Sequence, residues 1–86
     1  MNEIQLNELI SRAQKLIGGE MPVAVGNSQQ TKTVNYKFVG IGSAQGFGED
    51  GGSKNYQIDG ILQASDGDEI RKPLKVLVNY FENKKP

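Results

Sequence analysis

Residues 69–81, Glu69-Ile70-Arg71-Lys72-Pro73-Leu74-Lys75-Val76-Leu77-Val78-Asn79-Tyr80-Phe81, decide how the rest of the chain is arranged. From Leu74 onward the side chains alternate. Leu74, Val76, Val78 and Tyr80 fall on one side, and Lys75, Leu77, Asn79 and Phe81 on the other. A period of two is the pattern of a β-strand, whose successive side chains point to opposite faces. Pro73 lacks an N–H group, so this strand begins at an edge or a bulge. Just upstream, Asp66-Gly67 is a two-residue hairpin signal, because a type I′ turn needs positive φ at both central positions. The reading is a strand over about 69–81, joined by a tight turn to the strand before it.

Working outward, that preceding strand covers about 54–64, with Tyr56, Ile58, Leu62 and Ala64 on one face and Gly60 a gap in it. Another runs over about 31–42. Val34, Tyr36 and Phe38 point one way and Thr33, Asn35 and Lys37 the other. The pattern slips at Val39-Gly40-Ile41-Gly42, and glycine inside a strand often marks a bulge that re-aims the side chains after it. Residues 43–53, with four glycines, read as a long mobile hairpin connection. Met21–Val25, with its Pro22, fits either a short edge strand or an extended segment that tucks onto the sheet.

Residues 2–17 read as a helix. Asn2 is a good N-cap, and Gln5 three positions on has capping-box spacing. Ile4, Leu6, Leu9, Ile10, Ala13, Leu16 and Ile17 recur mostly at helical steps, while Glu8 and Arg12 stand at i,i+4. Gly18-Gly19 then closes the C-terminus. The expected fold is α+β: one N-terminal helix packed on an antiparallel β-meander of three to four strands, forming a single small domain over residues 1–86. Leu6, Leu9, Ala13, Leu16 and Ile17 are expected to pack against Val34, Tyr36, Phe38, Tyr56, Ile58, Leu62, Leu74, Val76, Val78 and Tyr80.

Composition bounds the chemistry. The 86 residues hold no Cys, no His and no Trp, and ten basic residues balance ten acidic ones. Without Cys there is no disulfide, thiolate metal site or thiol nucleophile. Without His there is no Ser-His-Asp triad and no imidazole ligand. Apolar residues make up 36%, under the roughly 45–50% usual for globular chains, so the core is thin. Glu3, Gln5, Asn7 and Glu8 interrupt any apolar run at the N-terminus, and no window approaches the ~20 apolar residues of a membrane span. A cytoplasmic protein without signal peptide or transmembrane segment is expected.

Four features bear on function. First, one helix covers only one face of a sheet. The opposite face would expose Val39, Ile41, Ile61, Leu77 and Phe81, on the order of several hundred Å² of apolar surface. Those residues form a candidate interface, most simply of a two-fold homodimer, unless the sheet curls and the Met21–Val25 segment covers them. Second, Phe47 between Gly46 and Gly48 is a candidate anchor of a partner-binding loop. The surrounding Gly40–Gly48 run matches neither phosphate-loop pattern, and Glu49-Asp50 follows where a helix would be needed. Its alternative reading is a plain hairpin tip.

Third, Asp66, Asp68 and Glu69 have the look of cation ligands but the spacing of turn chemistry, in which Asp bonds its own backbone. Fourth, charge is segregated along the chain. Residues 49–70 carry six acids and one lysine, whereas 71–86 carry five bases and one acid. Cross-strand compensation is the simple explanation. The sharper one is single-stranded nucleic-acid binding, with Lys37, Arg71, Lys72 and Lys75 tracking phosphates and Phe81 or Phe47 stacking on bases.

Catalysis has little support. It would need a perturbed carboxylate pair, such as Asp59 and Glu69 on adjacent strands, in a deep pocket. The expected function is therefore a small non-catalytic binding module that self-associates and tethers or inhibits a partner protein, with no metal and no cofactor. Nucleic-acid binding on the sheet face, and a small-ligand site built at a subunit interface, are the alternatives.

Overall fold

The computed structural model describes residues 1–48 and 55–84. In chain order it contains α1 (Glu3–Gln14), β1 (Glu20–Gly26), β2 (Thr31–Ile41), β3 (Gln45–Phe47), β4 (Asn55–Gln57), β5 (Asp59–Ala64), β6 (Glu69–Pro73) and α2 (Leu74–Asn83). β1, β2, β5 and β6 pair antiparallel in that order as one four-stranded sheet, and β3–β4 form a separate two-stranded ribbon. The fold is α+β with an antiparallel meander, as expected, and Met21–Val25 belongs to an edge strand. Residues 49–54 of the expected hairpin connection lie outside the described residues.

The main departure is at residues 74–83, which are helical rather than the second half of a strand. Leu74, Leu77, Val78 and Phe81 stand at i, i+3, i+4 and i+7, and these are the residues α2 buries. A strand would have put Leu77 and Phe81 on the face away from Leu74 and Val78. The helix instead gathers all four over the sheet and leaves Val76 50% exposed. Pro73 ends β6 in an extended conformation (φ −53°, ψ 131°), and the Leu74 N–H donates to the Ile58 carbonyl at 2.9 Å. One of the helix's unpaired first-turn donors is thereby satisfied by the sheet. At the other end the Asn83 amide donates to the Asn79 carbonyl at 2.8 Å.

Two glycines let α2 approach. A Cβ on Gly60 would lie 2.4 Å from Leu77 Cδ1, and one on Gly19 would lie 2.8 Å from Phe81 Cε1. The gap in the face of β5 is therefore a socket for Leu77. Phe81 stacks on Phe38 with centroids 5.9 Å apart and meets Tyr80 edge-on at 5.1 Å. Tyr36, Phe38, Ile58, Leu62 and Ala64 complete the buried layer with Leu6, Leu9 and Ala13 of α1.

α1 starts as its sequence indicates. The Asn2 side chain accepts from the Gln5 N–H at 2.8 Å, and the Gln5 side chain accepts from the Asn2 N–H at 2.9 Å. Gly18 closes the following turn with φ of +103°. Ile17 is 44% exposed rather than part of the inner layer, because the regular helix ends at Gln14. Arg12 does not turn back to Glu8. Its guanidinium reaches across to both carboxylate oxygens of Glu82 on α2, a partner absent if residues 74–83 were a strand.

The bulge in β2 is present, with the register shifting between Phe38 and Gly40. After it Ile41 falls opposite Gly60, on the helix-covered face, where it packs half-buried against the core. The strand expected over 54–64 is split at Ile58, whose side chain is buried between β4 and β5. The β5–β6 turn is also not type I′. Only Gly67 has positive φ there (+94°), its N–H donates to the Ala64 carbonyl, and the Ala64 N–H donates to the Asp68 carbonyl. That is a three-residue loop with glycine at its left-handed position.

Helical and strand readings of residues 74–81 predict opposite mutational effects. Phe81→Ala should lower stability by about 3–5 kcal/mol, whereas Val76→Ala should change it by no more than about 0.5 kcal/mol, both read from urea denaturation. Filling the socket with Gly60→Ala should cost about 1–3 kcal/mol, because Leu77 must leave its position.

The interhelix ion pair predicts a pH dependence. Hydrogen bonding and charge attraction from Arg12 hold the Glu82 carboxyl below the usual carboxylate range. The folded state therefore binds its proton less readily than the unfolded chain. The resulting stabilisation is present above the unfolded value and is lost as pH falls through the folded one. Glu82→Gln removes the effect, so the stability gap between wild type and variant should narrow from about pH 7 to about pH 3. Both side chains are solvated, so added salt should narrow it too.

Candidate functional site

Both helices pack on the same side of the sheet, because the residues they cover are the alternating inward positions of the strands. Met21, Val23 and Val25 of β1, Val34, Tyr36 and Phe38 of β2, Leu62 and Ala64 of β5, and Ile70 of β6 share that side. The other set, Glu20, Pro22, Ala24, Asn35, Lys37, Val39, Ile61, Gln63, Glu69 and Arg71, forms an uncovered face.

Register fixes how this open face is laid out. Glu20 stands opposite Lys37, Lys37 opposite Gln63, and Gln63 opposite Glu69. One row across all four strands thus runs acid, base, amide, acid. Next to it Gly40 faces Ile61 and Ile61 faces Arg71, with Val39 in the bulge, 40% exposed. The Arg71 guanidinium passes over Gly42, 3.3 Å from where a Cβ would stand. A shallow depression of about 610 Å³ opens among Glu20, Asn35, Lys37, Val39, Gln63 and Ser65. Such a surface offers hydrogen bonds of both kinds, one charge of each sign and a small apolar centre.

Of the five expected interface residues, Val39 and Ile61 are on this face. Ile41 is not, because the bulge turns it inward, and Leu77 and Phe81 are not, because α2 carries them into the core. The four bases likewise separate. Lys37 and Arg71 lie on the open face, Lys72 shares the opposite face with its partner Gly60, and Lys75 is on the exposed side of α2. A single phosphate track through all four does not form. Asn35 beside Lys37 and Gln63 beside Ile61 share this face by strand alternation, though neither is among the expected site residues; Glu20 was missed, and its alternation, with Pro22 and Ala24, against Met21, Val23 and Val25 could have placed it.

Phe47 is 53% exposed on the β3–β4 ribbon, opposite Asn55, and Gly46 stands opposite Tyr56. The ribbon is tied to the N-terminal segment by the Tyr56 N–H, which donates to the Met1 carbonyl at 2.8 Å. Gly48 is exposed. The chain enters a strand after Gly42 and not a helix, so the dipole and the free N–H groups of a phosphate cradle are lacking there.

The acidic cluster is engaged in turn chemistry. Asp66 accepts the Asp68 N–H at 2.9 Å, and Asp68 accepts the Tyr36 hydroxyl at 2.7 Å. That hydrogen bond, burial and the Asp68 charge together raise the Tyr36 pKa above the usual phenol value. Its geometric result is to pin the β5–β6 loop to β2. Asp59 and Glu69 do not meet. Asp59 is opposite Pro73 and Glu69 opposite Gln63, four positions apart on the ladder, or roughly 13 Å.

No helix among the described residues is long and apolar enough to cross a membrane. No protein-family model, curated protein or solved structure matches the chain.

Proposed function

We propose that the chain is a non-catalytic protein-binding module of the cytosol that tethers or inhibits a partner through the uncovered face of its sheet. The observation that carries this reading is the one-sidedness of the fold. Two helices cover one face, while the other leaves Val39 exposed and Ile61 half-buried, framed by Lys37, Arg71, Glu20 and Glu69. An apolar centre with a charged rim is the usual anatomy of a protein contact. The missing Cys supports a reducing compartment, where disulfides are rare. Phe47 would add a second contact from the ribbon, as a rigid aromatic at low entropic cost.

The test is cross-linking of the protein with its co-purified partner from the source cell, analysed by mass spectrometry. Cross-links should map to Lys37 and its neighbours. The double substitution Lys37→Glu and Val39→Asp should weaken partner binding about tenfold or more while leaving thermal unfolding unchanged. Cross-links confined to α1 and α2 would defeat the reading. Recovery of nucleic acid with a steep salt dependence would replace it with the phosphate-binding one.

A further inference from the structure

We propose that β6 is a pairing edge for a second copy of this chain, joined antiparallel about Ile70. β6 is the last strand of its sheet and is paired on one side, with β5. Two bonds fix which way its backbone points. The Ala64 N–H donates to the Asp68 carbonyl at 2.8 Å, and the Leu74 N–H donates to the Ile58 carbonyl at 2.9 Å. Asp68 and Leu74 therefore direct their backbone groups at the β5 side. By alternation Ile70 and Lys72 do the same, and Glu69, Arg71 and Pro73 direct theirs away from the sheet. Pro73 has no N–H to offer. The N–H and C=O groups of Glu69 and Arg71 are thus left facing outward, paired with no strand among the described residues.

The helix that follows β6 leaves this edge. Leu77 sits at Gly60 of β5, Phe81 stacks on Phe38 of β2, and Lys84 Nζ reaches the Glu20 carbonyl on β1 at 3.2 Å. α2 thus runs from β6 across the sheet to the far edge. That far edge is closed to pairing. The Phe38 N–H donates to the Gly19 carbonyl, so by the same alternation Glu20, Pro22 and Ala24 are the outward residues of β1. Pro22 lacks a donor there, and Lys84 occupies the Glu20 carbonyl,.

The occupant of the β6 edge follows from the order of its charges. Asp68-Glu69-Ile70-Arg71-Lys72 reads acid, acid, apolar, base, base. Charges on an edge strand ordinarily guard it, but this series is complementary to its own reverse. A two-fold axis at Ile70 sets Glu69 opposite Arg71 of the second copy, and Arg71 opposite Glu69. Both are outward residues, so the two pairs exchange about four N–H···O bonds in one ladder. Their side chains lie on the open face, where each meets its opposite charge. On the helix-covered face the half-buried Ile70 meets Ile70 of the second copy, and Lys72 stands opposite Asp68.

The neighbouring registers fail. An axis at Arg71 opposes two arginines and sets Pro73 where a donor is needed. An axis at Glu69 opposes two glutamates and calls on the Gly67 N–H, which is already given to the Ala64 carbonyl. Like charges directly opposite are destabilising, and unlike ones favourable. Among the described residues the ion pair present joins Arg12 to Glu82, so Glu69 and Arg71 have no such partner within that part of the chain. A strand of another protein would have to carry this same series of charges, whereas a second copy carries it by identity. The contact is isologous and closes at two chains. This inference stands apart from partner binding at Lys37 and Val39, which are on β2, with β5 between them and β6.

Sedimentation velocity over a concentration series should show a reversible dimer of the wild type. Arg71→Glu sets glutamate opposite Glu69 twice per dimer, and Glu69→Arg sets arginine opposite Arg71 twice. Each should raise the dissociation constant roughly ten- to a hundredfold without changing the circular dichroism of the chain. Mixing the two single variants restores unlike charges at every opposed pair, so native mass spectrometry should show heterodimers in the mixture. Should either variant not fold, the wild type decides alone. Its dissociation constant should rise severalfold between about 50 and about 500 mM salt, because exposed ion pairs are screened. A wild type monomeric at every concentration, a single variant that dimerises as well as wild type, a mixture without heterodimers, or a dimer indifferent to salt would each overturn the proposal. Lys37→Glu with Val39→Asp should leave the dimer intact, which separates this result from loss of partner binding.

Discussion

The structure depends on how closely α2 can lie against β5. Leu77 occupies the volume that a side chain on Gly60 would take, and both are buried. Close packing makes this contact unforgiving, because interiors have few voids in which to move a displaced group. Other features follow from it. With Leu77 seated, Leu74 and Val78 reach the same layer, and Phe81 comes down beside Gly19 to stack on Phe38. The helix then lies near enough to α1 for Arg12 to meet Glu82. Removing the socket would act on all of these together.

The elements that could be read from the sequence are those in which local and tertiary signals agree. Asn2 and Gln5 cap α1 through their own backbone, so no distant residue has to be known. The alternation of Val34, Tyr36 and Phe38 and the slip at Gly40 are likewise local, and the structure has both the strand and its bulge. Residues 74–81 are different. Leu74 and Val78 belong to a period of two and to a helical period alike, and the β-branched Val76 and Val78 favour the strand locally. What decides between them is the sheet's need for cover over Gly60, which is information carried by residues far away in sequence. Arg12 illustrates the same limit. Glu8 is its neighbour by spacing, but the better partner exists only once α2 is in place.

The candidate site inherits this division. Val39 and Ile61 follow from strand alternation near the bulge and could be placed on the open face. Ile41, Leu77 and Phe81 could not, since the placement of each depends on the exact register shift or on the helix. Gln63 follows from the same alternation as Ile61 on β5, whereas Glu20 needed β1 to be accepted as a strand, and its Pro22 spoke against that by propensity while permitting it at an edge.

The second helix also changes the meaning of a thin core. A sheet with one helix would leave much apolar surface in water, and joining two such faces would be a hydrophobic association. Here α2 brings Leu74, Leu77, Val78 and Phe81 to the covered side, and the open face keeps only Val39 and Ile61 as apolar residues of size. Face-to-face dimerisation thereby loses most of its driving force.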